Sequence, residues 1–315
     1  MQVVVTGGTG FVGNAVVRLL FSEGWPPRIL RRGRGRSSTE PRDAVLSGPG
    51  AGQGSANVRH VDFSRDAEVI EACRDAQVLV HLVGIISECG DDTFEAVHVG
   101  LTRTMVEAAR AAGVRRFIHM SAMGTREGAR SRYHRTKWAA EEIVRGSGLD
   151  WTIFRPSLIY GSDDAFTQLF ARMSRFSPFL PAIGGGRGLL QPIAVEQVAR
   201  AFVRAMAHPG AVGRTYDLCG PERRTFRQVL RSILDAQSRR RAIVTIPFPV
   251  ARFQARMLEF LWPRVLGKAP PLNREQILML EEDNIGDGGA ADAAFGLVHV
   301  PFSEALRREF GGRRP

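Results

Sequence analysis

The chain has 315 residues, 44% of them hydrophobic, and a formal net charge of +11. That length supports one sizeable domain, or a domain with a smaller lobe. Its longest apolar stretches are strand-length and fall well short of the roughly 20 residues of a membrane-spanning helix. The basic excess is almost all arginine, Lys137 and Lys268 being the two lysines. It comes with no nucleic-acid motif and no aromatic stacking pattern, so nucleic acid is not an expected partner. Cys73, Cys89 and Cys219 are odd in number and widely spaced, which argues against a disulfide framework or metal set and for a reducing compartment.

In chain order, residues 3–5 form a short apolar strand that starts at Gln2 and leaves no room ahead for a targeting peptide, so a cytoplasmic protein is expected. Further strands are predicted at 28–30, 58–63, 77–83, 116–120 and 151–154, with helices at 14–22, 67–73 and 94–112 between them. The run 77–83 is continuously apolar, as a buried parallel strand should be. This alternation predicts an α/β fold with a doubly wound parallel Rossmann sheet. Residues 41–57 read as a Gly/Ser/Pro-rich surface loop. After Gly161 the order loosens into a helix at 166–175, a Pro/Gly-rich loop at 178–188, a helix at 195–207 and a strand at 215–218. The expected division is a nucleotide-binding domain over 1–162, to which 191–220 return, and a smaller, mainly helical lobe from 163–190 and 221–315.

The strongest motif is the run Thr6-Gly7-Gly8-Thr9-Gly10-Phe11-Val12-Gly13, placed directly between a strand and a helix. Gly7, Gly10 and Gly13 allow a tight turn and close approach to a pyrophosphate, while the helix start offers N–H groups and a positive dipole end. Thr9, Phe11 and Val12 belong to the same cradle. The end of the second strand decides the nucleotide. An NAD site places Asp or Glu there, whereas this chain reads Arg31-Arg32 with no carboxylate. Arginines suit a 2′-phosphate, so NADP(H) is expected over NAD(H). Asp62 and Phe63 are expected near the adenine. Leu82, Val83 and Gly84 lie at the cofactor-facing edge of the fourth strand, and Pro156 and Ser157, with Arg155, border the nicotinamide.

Tyr133 and Lys137 are four residues apart, on one helix face. The lysine is expected to bond the nicotinamide ribose and lower the tyrosine pKa, so that Tyr133 passes a proton. Ser121, just after the fifth strand, is the candidate anchor for a substrate oxygen. No metal ligands are expected. His81 is read as a structural strand-end group, and His98 and His134 as helix-surface groups. The basic amphipathic stretch 247–266 is read first as the core of the small lobe and second as a face for a membrane or partner.

Taken together, TGGTGFVG at 6–13, HLVGII at 81–86, HMSAMG at 119–124, SRYHRTKWAAEE at 131–142, TIFRPSLIYG at 152–161, QPIAVEQVARAF at 191–202, TYDLCGPE at 215–222 and LNREQILMLEEDN at 272–284 resemble the extended and atypical short-chain dehydrogenase/reductases. Among these they are similar to the bacterial relatives of the complex I alpha-subcomplex subunit 9. The resemblance implies a Rossmann fold, a bound NADP(H) and a Tyr-Lys pair, and it implies less about turnover. It also implies departures: His98 stands where many extended enzymes carry Asn, and Leu101 where a Gly is usual, so the hydrogen-bond network should differ. Three readings follow. The first is an NADPH-dependent oxidoreductase of a small carbonyl or quinone-like substrate. The second is a non-catalytic NADPH-binding accessory or assembly protein of a respiratory complex or of quinone metabolism, attached to that complex or to the inner membrane face. The third is a sugar-nucleotide epimerase or dehydratase. Fold alone does not choose among them.

Overall fold

The computed structural model describes residues 1–33, 57–266, 270 and 272–311. The expected loop at 41–57 lies outside them except for its last residue. The first half alternates as the sequence predicts: β1 (Val3–Thr6), α1 (Phe11–Ser22), β2 (Arg28–Arg32), β3 (Asn57–Val61), α2 (Asp66–Cys73), β4 (Val78–His81), α3 (Leu101–Ala111), β5 (Arg116–Met120), α4 (Arg132–Arg145) and β6 (Asp150–Pro156). Next come β7 (Ile159–Tyr160), α5 (Ala165–Phe176), β8 (Phe179–Ile183), β9 (Leu189–Leu190), β10 (Ile193–Ala194), α6 (Val195–Ala205) and β11 (Arg214–Leu218). The chain continues through β12 (Arg224–Thr225), α7 (Phe226–Ala236), β13 (Ala242–Ile246), α8 (Phe248–Leu266), α9 (Arg274–Leu280), α10 (Gly289–Phe295) and α11 (Phe302–Gly311).

Seven strands form one parallel sheet in the order β11-β6-β5-β4-β1-β2-β3. Its inner strands are rich in β-branched residues and sealed on both faces. The period of two sorts their side chains. Val3, Val5, Val78 and Val80 join the core under α1 and α6, whereas Val4 and Leu79 join the core under α2 and α3. The strand order reverses between β1 and β4, and that switch point opens a crevice at the carboxyl ends of the strands. Register carries this into the site: Thr6 pairs with His81 and His81 with His119 across three neighbouring strands.

Two expectations are corrected. Residues 178–188, expected as a loop, contain β8, which pairs in parallel with β13. Its apolar alternation turns Leu180 and Ala182 into the lobe's core, and this burial outweighs the breaking tendency of Pro178 and Pro181. The lobe expected over 221–315 also gives part of its length back to the sheet. Ala291, Phe295 and Leu297 complete the main core, with the Phe295 ring 5.3 Å from that of Phe154 and 5.0 Å from that of Tyr216. The lobe's own core gathers Phe170, Leu180, Phe226, Leu230, Phe302 and Leu306.

Phe295 is 1% exposed and wedged between two sheet aromatics, so Phe295→Ala should cost about 3–5 kcal/mol of global stability in urea unfolding. The neighbouring Val298→Ala, at a residue 66% exposed, should change it by less than about 0.5 kcal/mol. Equal, small effects of the two would show that this segment is not part of the sheet's core.

Candidate active site

The Gly-rich turn is closed by the Gly10 N–H donating to the Gly7 carbonyl at 3.0 Å. Gly7 has φ +74°, a left-handed conformation suited to glycine. At Gly13 a Cβ would stand 2.0 Å from the Gly7 oxygen, so only hydrogen lets α1 pack on the turn. Gly10 caps α1 without a side chain, and Thr9 and Gly10 are exposed. The first turn of α1, Phe11-Val12-Gly13, therefore has its amides available to an anion, which suits a dinucleotide's phosphates. A Cβ on Gly7 would stand 3.1 Å from the backbone of Leu82 and Val83, so the turn lies close against the segment that follows β4.

At the end of β2, Arg31 is half-buried and Arg32 exposed. Sequence reasoning missed the partner of Arg32: Asp92, from the loop after β4, pairs with it at 2.5 Å. Asp62 accepts from the Ser64 N–H at 3.0 Å and the Ser64 hydroxyl at 2.6 Å. These bonds hold its carboxyl below the usual range. Phe63 is half-buried against the α2/α3 core.

Tyr133 and Lys137 sit on α4, whose start is fixed by Ser131: its hydroxyl accepts the His134 N–H at 3.2 Å. Both side chains are buried. The Lys137 ammonium donates to the Met120 carbonyl at 3.1 Å. A Cβ on Gly84 would lie 2.8 Å from Nζ, so glycine at 84 makes room for the charge. Burial pulls Lys137 down to about 8, against an opposing pull from Glu141. Burial pushes the Tyr133 phenol up to about 12, contrary to the lowering expected from the lysine. Here desolvation of the phenolate dominates.

The Tyr133 ring is boxed edge-on by Phe94 at 5.9 Å, His98 at 5.3 Å and His134 at 5.2 Å. His98 and His134, expected on helix surfaces, are in fact buried. His98 lies on a π-helical turn, Glu95–Gly100, that leads into α3, a distortion often found at functional sites. Its Nδ1 is 2.9 Å from the Thr136 hydroxyl and its Nε2 3.1 Å from the Ile85 carbonyl. The sequence held a signal for this: Phe94, His98 and Thr102 step four residues apart along an apolar face. His81 bonds Thr6 at 2.6 Å and Thr102 at 3.1 Å, a structural use of both ring nitrogens. It stacks on His119 at 5.5 Å, whose two ring nitrogens have no hydrogen-bond partner among the described residues. Burial, reinforced by the Lys137 charge, lowers His81 to about 3, His98 to about 2 and His119 well below its ordinary value.

Ser121 is buried after β5, its hydroxyl 3.3 Å from that of Thr125. Arg155, expected beside the nicotinamide, instead turns to buried Glu141 with bonds of 2.8 and 2.6 Å. Pro156 is buried, and the Ser157 hydroxyl bonds the Asn284 carbonyl at 2.9 Å. The structure thus brings Tyr133, Lys137 and Gly84 together with His98, and engages Arg155 with Glu141, whose charge also acts on Lys137.

Residues 3–219 match the family model described as "NAD dependent epimerase/dehydratase family". The chain is 33% identical over 285 residues to the mitochondrial NADH dehydrogenase (ubiquinone) 1 alpha subcomplex subunit 9 of Arabidopsis thaliana, covering 89% of this chain and 68% of that protein. It is 34% identical over 183 residues to the ceramide reductase of Caulobacter vibrioides, covering 58% of this chain and 53% of that one. That second match spans about half the relative's length. Among solved structures, UDP-glucuronic acid 4-epimerase from Bacillus cereus, in complex with UDP-glucuronic acid and NAD, superposes with a TM-score of 0.73 at 17% identity, over 99% of this chain and 98% of that one. This last likeness is one of fold.

The buried histidines make an acid-stability prediction. Burial holds His81, His98, His119 and His134 below the ordinary imidazole range in the folded chain. The unfolded chain therefore binds protons first, and their contribution is complete above about pH 6.5 and lost as pH falls toward about 3. The thermal midpoint should drop between about pH 6.5 and 5, His81 and His98 each contributing about 1 kcal/mol per pH unit. A midpoint flat across that window would show that these rings are solvated.

Proposed function

We propose that this chain, which belongs to the NAD dependent epimerase/dehydratase family, is a reductase that uses NADPH to reduce a carbonyl or quinone-like substrate. The observation that carries this reading is the buried Lys137 ammonium, seated against Gly84 at the end of β4 and one helical turn from Tyr133. The fold supplies a cleft suited to the dinucleotide: the Gly7–Gly13 turn for its phosphates, Asp62 and Phe63 for its adenine, and Leu82, Val83, Pro156 and Ser157 toward its other end. When bound there, the dinucleotide supplies a hydride.

The remaining chemistry belongs to the chain's own residues. A phenol pushed up to about 12 keeps its proton at neutral pH, which a proton donor requires. Giving that proton to the substrate oxygen leaves a phenolate, and the nearby ammonium stabilises it. Ser121 offers a hydroxyl to the same oxygen. The reductase relative, named for a ceramide, supports reduction as the direction. Arg31 and Arg32, with no carboxylate on β2, support NADPH. Asp92 must then yield Arg32 to the 2′-phosphate.

A second reading has its own support. The Arabidopsis relative, named as a respiratory-complex subunit, aligns over 89% of the chain, and His98 replaces the residue the extended enzymes usually carry. On that reading the nucleotide is held without turnover. An epimerase or dehydratase is less well supported, because the two arginines favour NADP(H).

NADPH oxidation against quinones, enones and aldehydes separates these readings. Tyr133→Phe should lower turnover by about 10²–10⁴-fold and leave NADPH affinity within about twofold. Turnover that persists in this variant removes Tyr133 as the proton donor, and tight binding with no turnover in the parent favours the structural reading. Replacing Arg31 and Arg32 together by Ala should weaken NADPH by about tenfold or more and leave NADH unchanged. Equal weakening of both would remove the 2′-phosphate assignment.

A further inference from the structure

Helix α8 inverts the expected burial. Its small residues Ala251 and Ala255 face inward at 0% exposure, while Phe253 is 67% and Phe260 57% exposed. Val250, Met257 and Leu261 are also exposed and continue the stripe. The sequence's first reading of 247–266, as the core of the small lobe, therefore holds for the alanines and fails for the large side chains. A helix that hides alanine and displays phenylalanine has a face built for contact beyond the chain.

On α8 the described charges beside the stripe are Arg252, Arg256 and Glu259. Arg252 is paired with Glu281 at the end of α9. Glu259 is itself paired with Arg274 at 2.7 Å. Arg256, beside the stripe, has no ion-pair partner among the described residues, whose helices include none long and apolar enough to cross a membrane. A second copy of the chain, seated symmetrically on the stripe, would bring its own Arg256 against this one.

The position also matters. A groove of about 450 Å³ runs along the stripe between Phe253, Met257 and Phe260. It shares Glu259 and Arg274 with a neighbouring cavity of about 510 Å³ that reaches Phe94, the ring packed on Tyr133. The displayed face thus adjoins, through the Glu259–Arg274 pair, a cavity whose lining includes Phe94.

We propose that the outer face of α8 docks on an anionic lipid bilayer, its aromatic and aliphatic side chains entering the headgroup boundary and Arg256 meeting lipid phosphates. This is the arrangement of an interfacial amphipathic helix. It does not rest on the reductase reading, since docking is read without turnover.

The test is co-sedimentation of the full chain with phosphatidylcholine vesicles, with and without phosphatidylglycerol. The comparison is with a Phe253→Ser, Met257→Ser double variant whose melting and NADPH binding are checked alongside. Binding should require phosphatidylglycerol, weaken as salt rises, and fall about tenfold or more in the variant. No binding to either vesicle, equal binding to both, or undiminished binding by the folded variant would each overturn the proposal. So would a parent dimer that the variant converts to monomer, which would assign the face to a second copy.

Discussion

A positive charge buried at the carboxyl edge of the sheet sets the terms for everything around it. The Lys137 side chain is 2% exposed, and taking an ammonium out of water is costly unless polar groups replace the lost hydration. The Met120 carbonyl supplies one such bond, Glu141 supplies a field that raises the lysine pKa, and the missing side chain at Gly84 supplies the space. The same charge acts outward. It lowers the pKa of His81, His98 and His119 in addition to their burial. With one cation present, the rings must stay neutral. A neutral imidazole has one donor and one acceptor, and His81 spends both, on Thr6 and Thr102.

The arrangement is held by register more than by local preference. Pairing of β1, β4 and β5 puts Thr6, His81 and His119 in one row. The Ser131 cap fixes where α4 begins, and so which face carries Tyr133, His134 and Lys137. The Arg155–Glu141 pair ties the middle of α4 to β6. Glu141 is 0% exposed, and a two-toothed guanidinium–carboxylate contact is among the most directional that side chains make. Helix and sheet are thus locked beside the lysine by the same carboxylate that supports its charge.

The nucleotide half was legible because its constraints are local. A Gly-rich turn between a Val-rich strand and a helix, and a Tyr-Lys pair at helical spacing, declare themselves within a few residues of chain. What was illegible depends on contacts between distant segments. Asp92 reaches Arg32 across 60 residues of sequence. Ala291, Phe295 and Leu297 fold back onto the sheet because aromatic positions there needed covering, and nothing local in that stretch points to it. His98 and His134 read as polar by type but are buried by position, against the ring of Tyr133. Composition also misled at β8, where two prolines suggested a loop and the alternation of Leu180 and Ala182 decided otherwise.

The α8–α9 part of the lobe, with its own small core of Ala251, Ala255 and Ile277, is joined to the site by polar links. The Arg132 N–H at the start of α4 donates to Glu275 on α9 at 2.6 Å, and the Asn273 amide reaches the Ile86 carbonyl at 3.1 Å. Glu281, at the end of α9, takes Arg130 at 3.2 Å and also pairs with Arg252 on α8. One carboxylate therefore links the displayed helix to the residue just before the Ser131 cap. Such contacts are individually weak and sensitive to their surroundings, unlike the packed aromatic core beneath the sheet.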